Sequence, residues 1–109
     1  GKLRGDEFEG ILRTIYQSFG GEEVYPTVAE KAANLFYFII KDHPFFDGNK
    51  RIASLLFVTF LHMNEYGLTK EGNLKISDKA LVALALMVAE SEPREKGLMV
   101  AVVCRLLEE

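Results

Sequence analysis

Cysteine is nearly missing from this chain: Cys104 is the one thiol in 109 residues. It cannot close an internal disulfide, and with only two histidines beside it a structural zinc site lacks ligands. A reducing, cytoplasmic setting fits that composition. A basic excess is missing as well: charged residues make up 27%, both signs are interspersed and the formal net charge is -3. Stable binding along a phosphate backbone needs the opposite balance, so a nucleic-acid partner is not expected. The opening Gly1-Lys2-Leu3-Arg4-Gly5 holds no apolar leader, and polar residues break every apolar stretch well short of a membrane span, so no membrane partner is expected either. There is no internal repeat and no low-complexity tract. The chain does not open on methionine, which fits a domain cut from a longer protein.

What is present suffices for one domain spanning 1–109, with 49% apolar residues to close a single core. The periodicity predicts an all-α fold of about five helices with one short extended segment. Asp6 is placed to cap a helix running to about Ser18, with Phe8, Ile11, Leu12, Ile15 and Phe19 on one face and Gly20-Gly21 ending it. Gly21 to Pro26 suits an extended piece or small hairpin. Thr27 and Glu30 match a capping box before a second helix whose buried face is Val28, Ala32, Leu35, Phe36 and Ile39. Pro44 restricts His43 and should stop that helix. Ile52 to Met63 is apolar nearly all round, the pattern of a central helix. Ser77 or Asp78 starts a fourth helix through Ala89, and Pro93 sits near the start of a fifth carrying Leu98, Val102, Val103 and Leu106. His62 reads as a satisfied core histidine, and Cys104, Met87 and Met99 as packing.

The chemistry concentrates in His43-Pro44-Phe45-Phe46-Asp47-Gly48-Asn49-Lys50-Arg51. A helix ends at an imidazole; a carboxylate follows; then Gly48, Asn49, Lys50 and Arg51 open a new helix. A helix N-terminus carries unpaired N–H groups and partial positive charge, so it binds phosphate oxygens. Gly48 lets backbone approach an anion closely, and Asn49, Lys50 and Arg51 add donors. Asp47 supplies a hard oxygen, suited to Mg²⁺ carried with substrate phosphates. Neutral His43 can take a proton from an incoming hydroxyl. Phosphoryl and nucleotidyl transfer require mainly such positioning and charge stabilisation. Each element also has an ordinary structural reading, as a helix end, a turn and an N-cap, with Phe45 and Phe46 as buried anchors. Two cations in a first helical turn oppose the helix dipole, and that conflict favours a bound phosphate.

The segment HPFFDGNKR resembles the signature of the Fic/Doc superfamily, HxFx(D/E)GN(G/K)R, and the likeness extends over roughly Phe8 to Ala89. The resemblance implies a compact Fic-like helical bundle with a short β-hairpin flap before the motif helix pair. It implies a Mg²⁺-dependent enzyme using ATP or another nucleoside triphosphate to modify a Ser, Thr or Tyr hydroxyl of a target protein. His43 would be the catalytic base, Phe45 the motif anchor and Asp47 the metal ligand. Gly48, Asn49, Lys50 and Arg51 would bind the phosphates. Gly21, Glu22, Glu23, Val24 and Tyr25 would form the flap that pairs with an extended target segment. Lysine at 50 and serine at 54, where the AMP-transferring branch has glycine and arginine, resemble the Doc branch, whose members are toxins that transfer a terminal phosphate. Gly48 instead resembles the Fic form, so AMP transfer and phosphate transfer both stay open. Glu9-Gly10 fits only the end of the superfamily's self-inhibition motif, and Ser91 to Glu95 fits it in part. Inhibition is therefore expected from another segment or an antitoxin-like partner. The rival readings are a non-catalytic nucleotide- or protein-binding module, against which an intact His43 and Asp47 count, and a nucleotide hydrolase.

Overall fold

The Thr27 hydroxyl accepts the Glu30 N–H at 3.0 Å, the expected N-cap, and donates to Glu30 Oε1 at 2.9 Å, so the Glu30 carboxylate meets the Thr27 hydroxyl and not its backbone N–H as a full capping box would have it. In the computed structural model, which describes residues 7–108, this cap starts the helix around which the others gather. The elements in chain order are helix α1 (Glu7–Ile15), strands β1 (Ser18–Phe19) and β2 (Glu22–Glu23), and helices α2 (Val28–Asp42), α3 (Asn49–Met63), α4 (Asp78–Glu90) and α5 (Lys96–Leu107). A single 3₁₀ turn, Pro93–Glu95, leads into α5. The described residues are thus all-α, five helices with one two-stranded antiparallel hairpin, as the resemblance implies.

The central helix is α2, and this corrects the expectation that α3 would be. Ala32, Ala33, Leu35, Phe36, Tyr37, Ile39 and Ile40 of α2 are all buried, and α2 packs against α1, α3, α4 and α5. On α3 only Asn49, Ala53, Phe57 and Leu61 are buried, a single stripe four residues apart, while Leu55 and Met63 face solvent. Apolar composition shows what a helix is able to bury; the number of helices packed on it decides what it does bury. Phe57 meets Phe36 with ring centroids 5.1 Å apart at the centre of the core. His62 is likewise exposed rather than in the core, its ring lying against Gly67 near the end of α3.

Three further expectations shift. Helix α1 stops at Ile15, not Ser18, because Ser18 pairs with Glu23 and Phe19 with Glu22 across Gly20-Gly21. Both glycines have positive φ (60° and 87°), which a two-residue hairpin turn demands. Phe19 is therefore 84% exposed instead of buried, and the hairpin occupies residues 18–23, with Val24 and Tyr25 just beyond it. Asp6, the expected cap, lies outside the described residues. On α5 the buried stripe is Met99, Val103 and Leu107, with Leu98 and Leu106 exposed. Both four-residue stripes are apolar, and packing on α2 selects the one a single residue along. Ser77 accepts the Ala80 N–H at 3.2 Å and starts α4 as expected.

Candidate active site

Helix α2 ends at His43, as the following proline requires, but in an unexpected conformation. His43 is left-handed (φ 51°, ψ 58°), whereas a residue before proline ordinarily turns extended. A non-glycine residue held there costs about 1–3 kcal/mol, a strain that the surroundings must hold. Pro44 does so from one side, being fully buried. Phe45 does so from the other, its ring 5.5 Å from that of Phe8 on α1.

The loop is then closed by Asn49. Its Oδ1 accepts the Phe45 N–H at 3.1 Å and its Nδ2 donates to the Phe45 carbonyl at 3.0 Å. The side chain expected to reach phosphate is thus committed to holding the loop, and what Asn49 presents outward is its backbone N–H. The first backbone bond of α3 runs from the Ile52 N–H to the Gly48 carbonyl at 2.8 Å, and Gly48 supplies no side-chain cap. The N–H groups of Asn49, Lys50 and Arg51 therefore have no acceptor within the helix. Gly48 itself is left-handed (φ 71°, ψ 19°), and the Arg51 guanidinium folds over it so closely that a Cβ there would meet Arg51 Nη2 at 2.9 Å. Among the described residues neither Lys50 nor Arg51 makes an ion pair.

A cleft of about 360 Å³ opens over this helix end, lined by Ile40, His43, Phe46, Asp47, Gly48, Asn49, Lys50, Arg51 and Ala89. It brings together the imidazole, the carboxylate and the donor-rich helix start. Phe46, expected as a buried anchor, is 67% exposed and belongs to the cleft wall; two adjacent phenylalanines in so tight a loop cannot both face the core. Ile40 and Ala89 complete the wall and carried no sequence signal beyond ordinary helix packing. Asp42, one residue before His43, was also unanticipated. Partial burial holds its carboxyl above the usual range, and the charge of Glu7 raises it further, with His43 and Lys96 acting in opposition.

The hairpin is not part of this cleft. Lys31 Nζ pairs with Glu23 Oε1 at 2.7 Å and donates to the Tyr25 carbonyl at 2.6 Å, seating the hairpin on the first turns of α2. His43 lies twelve residues further along, roughly 18 Å at the α-helical rise. Gly21, Glu22, Glu23, Val24 and Tyr25 line none of the cleft.

Comparison with known proteins gives this arrangement its context. The family model described as Fic/DOC family matches residues 5–61, just over half the chain and the whole span from α1 through most of α3. This chain belongs to the Fic/DOC family. A curated relative named Toxin Doc, from Mycolicibacterium smegmatis, is 43% identical over 51 residues, which is 47% of this chain and 36% of the relative. The chain thus spans about a third of that relative's length. No solved structure matches it. Within α3, the Ser54 hydroxyl donates to the Lys50 carbonyl at 3.1 Å. Asp47 is the single carboxylate of the cleft, and no three His, Cys, Asp or Glu side chains among the described residues gather to hold a metal. No helix among the described residues is long and apolar enough to cross a membrane.

Proposed function

We propose that residues 1–109 form one Fic/Doc catalytic domain, a transferase that moves either AMP or a terminal phosphate from a nucleoside triphosphate to a Ser, Thr or Tyr hydroxyl of a target protein. The observation that carries this reading is the uncapped, glycine-started N-terminus of α3 opening into the same cleft as His43 and Asp47. The N–H groups of Asn49, Lys50 and Arg51, with the Lys50 and Arg51 side chains, bind the phosphates and stabilise charge that develops on them. Asp47 would hold Mg²⁺, which when bound would supply neutralisation of phosphate charge. His43 receives the proton of the attacking hydroxyl as its oxygen bonds to phosphorus and the phosphoanhydride bond breaks, releasing pyrophosphate in AMP transfer or the nucleoside diphosphate in phosphate transfer. Phe45 and Asn49 keep this loop rigid, so that positioning costs nothing at the moment of reaction.

The target segment adds as an extended strand to the hairpin of residues 18–23. At about 3.3 Å per residue, five or six residues would then separate that contact from the hydroxyl at His43. Since the relative carries the name Toxin Doc, we further propose that this activity is toxic and cytoplasmic, and is held in check by an antitoxin or inhibitory segment. The test is transfer of label from ATP carrying it at the alpha or the gamma phosphate, with Mg²⁺ and a cell lysate, by the wild type and His43→Ala. Alpha label on protein means AMP transfer, and gamma label alone means phosphate transfer. Label that His43→Ala transfers equally well would overturn the assignment of His43.

A further inference from the structure

Lys96 is the first residue of α5, where a cation opposes the helix dipole. Its side chain is turned to three rings of other elements. The Nζ lies 4.6 Å from the ring centroid of Phe38, 5.6 Å from that of Tyr25 and 5.9 Å from that of Tyr37, and it donates to the Tyr25 hydroxyl at 3.4 Å. A cation within about 6 Å of an aromatic face is attracted by the ring quadrupole, more strongly as water is excluded. Lys96 and Tyr25 are both half-buried. Tyr25 is thereby held at two points, its carbonyl by Lys31 and its ring and hydroxyl by Lys96. The first contact seats it on the early turns of α2. The second joins it to Phe38, which stands five residues before His43, about 8 Å at the α-helical rise. The hairpin needs such anchors, because its strands are two residues each and wholly exposed, and a two-stranded ribbon is marginal by itself.

We propose that Lys96 is a positioning residue for the target protein: by holding Tyr25 toward the His43 end of α2, it fixes the hairpin edge relative to the imidazole and so sets the register in which an added strand delivers its hydroxyl. The proposal rests on the reading that the hairpin receives the target. Lys96 lies on α5, outside residues 5–61 matched by the family model.

Lys96→Met keeps an unbranched stem and removes the charge, Lys96→Arg keeps a cation that stacks on aromatic faces, and Tyr25→Leu removes the ring from the other side. Amide hydrogen exchange on the purified chain reads the anchor at Val24, whose N–H donates to the Gln17 carbonyl at 3.0 Å and closes the hairpin. Its exchange is expected to quicken about fivefold in Lys96→Met and in Tyr25→Leu, the scale of one cation–π contact, and to stay near wild type in Lys96→Arg. The label-transfer assay at saturating ATP reads the role. Lys96→Met should need about fivefold more lysate to reach half of its maximal labelling, with the maximum little changed, and Lys96→Arg should restore the wild-type requirement. Unchanged Val24 exchange in both Lys96→Met and Tyr25→Leu would overturn the anchor. Quicker exchange with an unchanged lysate requirement would overturn the positioning role and leave Lys96 merely structural. Absence of labelling by the wild type would overturn the transferase reading and the target role with it, and the exchange result would still decide the anchor.

Discussion

Gly48→Ala isolates the backbone strain on which the cleft at the start of α3 is built. Gly48 holds φ 71° and ψ 19°, the left-handed region that costs an L-residue about 1–2 kcal/mol. Alanine's smaller unfolded-state entropy returns about 0.4–1 kcal/mol, so the net loss should be near 1 kcal/mol. For a domain of this size that lowers Tm by about 4–8 °C, readable from the helical circular dichroism. The new Cβ would also meet Arg51 Nη2 at 2.9 Å, with Arg51 Cζ at 3.6 Å and Ile52 Cδ1 at 3.8 Å. The nearest atom is the far end of a flexible side chain, so it should swing aside cheaply and contribute little to the loss. Repeating the substitution in an Arg51→Ala background separates the two causes. The same fall in Tm is expected in both backgrounds. Wild-type stability in Gly48→Ala would refute the strain argument, and a loss that disappears with Arg51→Ala would assign it to collision instead.

Asn49 and Asp42 offer independent checks. Asn49→Ala leaves the Phe45 N–H and carbonyl without their partner and should cost about 1–3 kcal/mol in chemical denaturation; Asn49→Asp keeps an acceptor but no donor and should fall between alanine and wild type. Asp42 has its carboxyl raised by burial first and Glu7 second, so its ionisation weakens the fold as pH rises through the raised value. Asp42→Asn should accordingly raise Tm at pH 7, and the advantage should vanish below the ordinary carboxylate pKa of about 3.9, where the native aspartic acid is neutral in both states.

Much of the site was legible because its residues are consecutive: a proline that ends one helix, a glycine that starts the next and the polar groups between them can be read without long-range contacts. The directions of side chains were not. Asn49 belongs to a run of residues expected from the sequence to donate hydrogen bonds to phosphate, yet its amide turns inward to Phe45, a contact that depends on the path of the whole loop. Phe19 follows Ile15 at helical spacing and so reads as core, but the Gly20-Gly21 turn pulls it into a hairpin. The central role of α2 over α3 is a property of tertiary packing, since both are rich in apolar residues and only their neighbours distinguish them. The separation of the hairpin from the cleft follows from Lys31, whose lysine identity alone does not reveal that it grips Glu23 and Tyr25.

The wall contributed by α4 carries an evolutionary consequence. Ala89 borders the cleft from a helix outside the recognisable family segment. In the proposed function the reacting groups lie on the loop and first turn of α3, so a lineage could drift at α4 without disturbing them. On that reading, enlarging Ala89 would reshape the cleft wall while the proposed reacting groups are left in place.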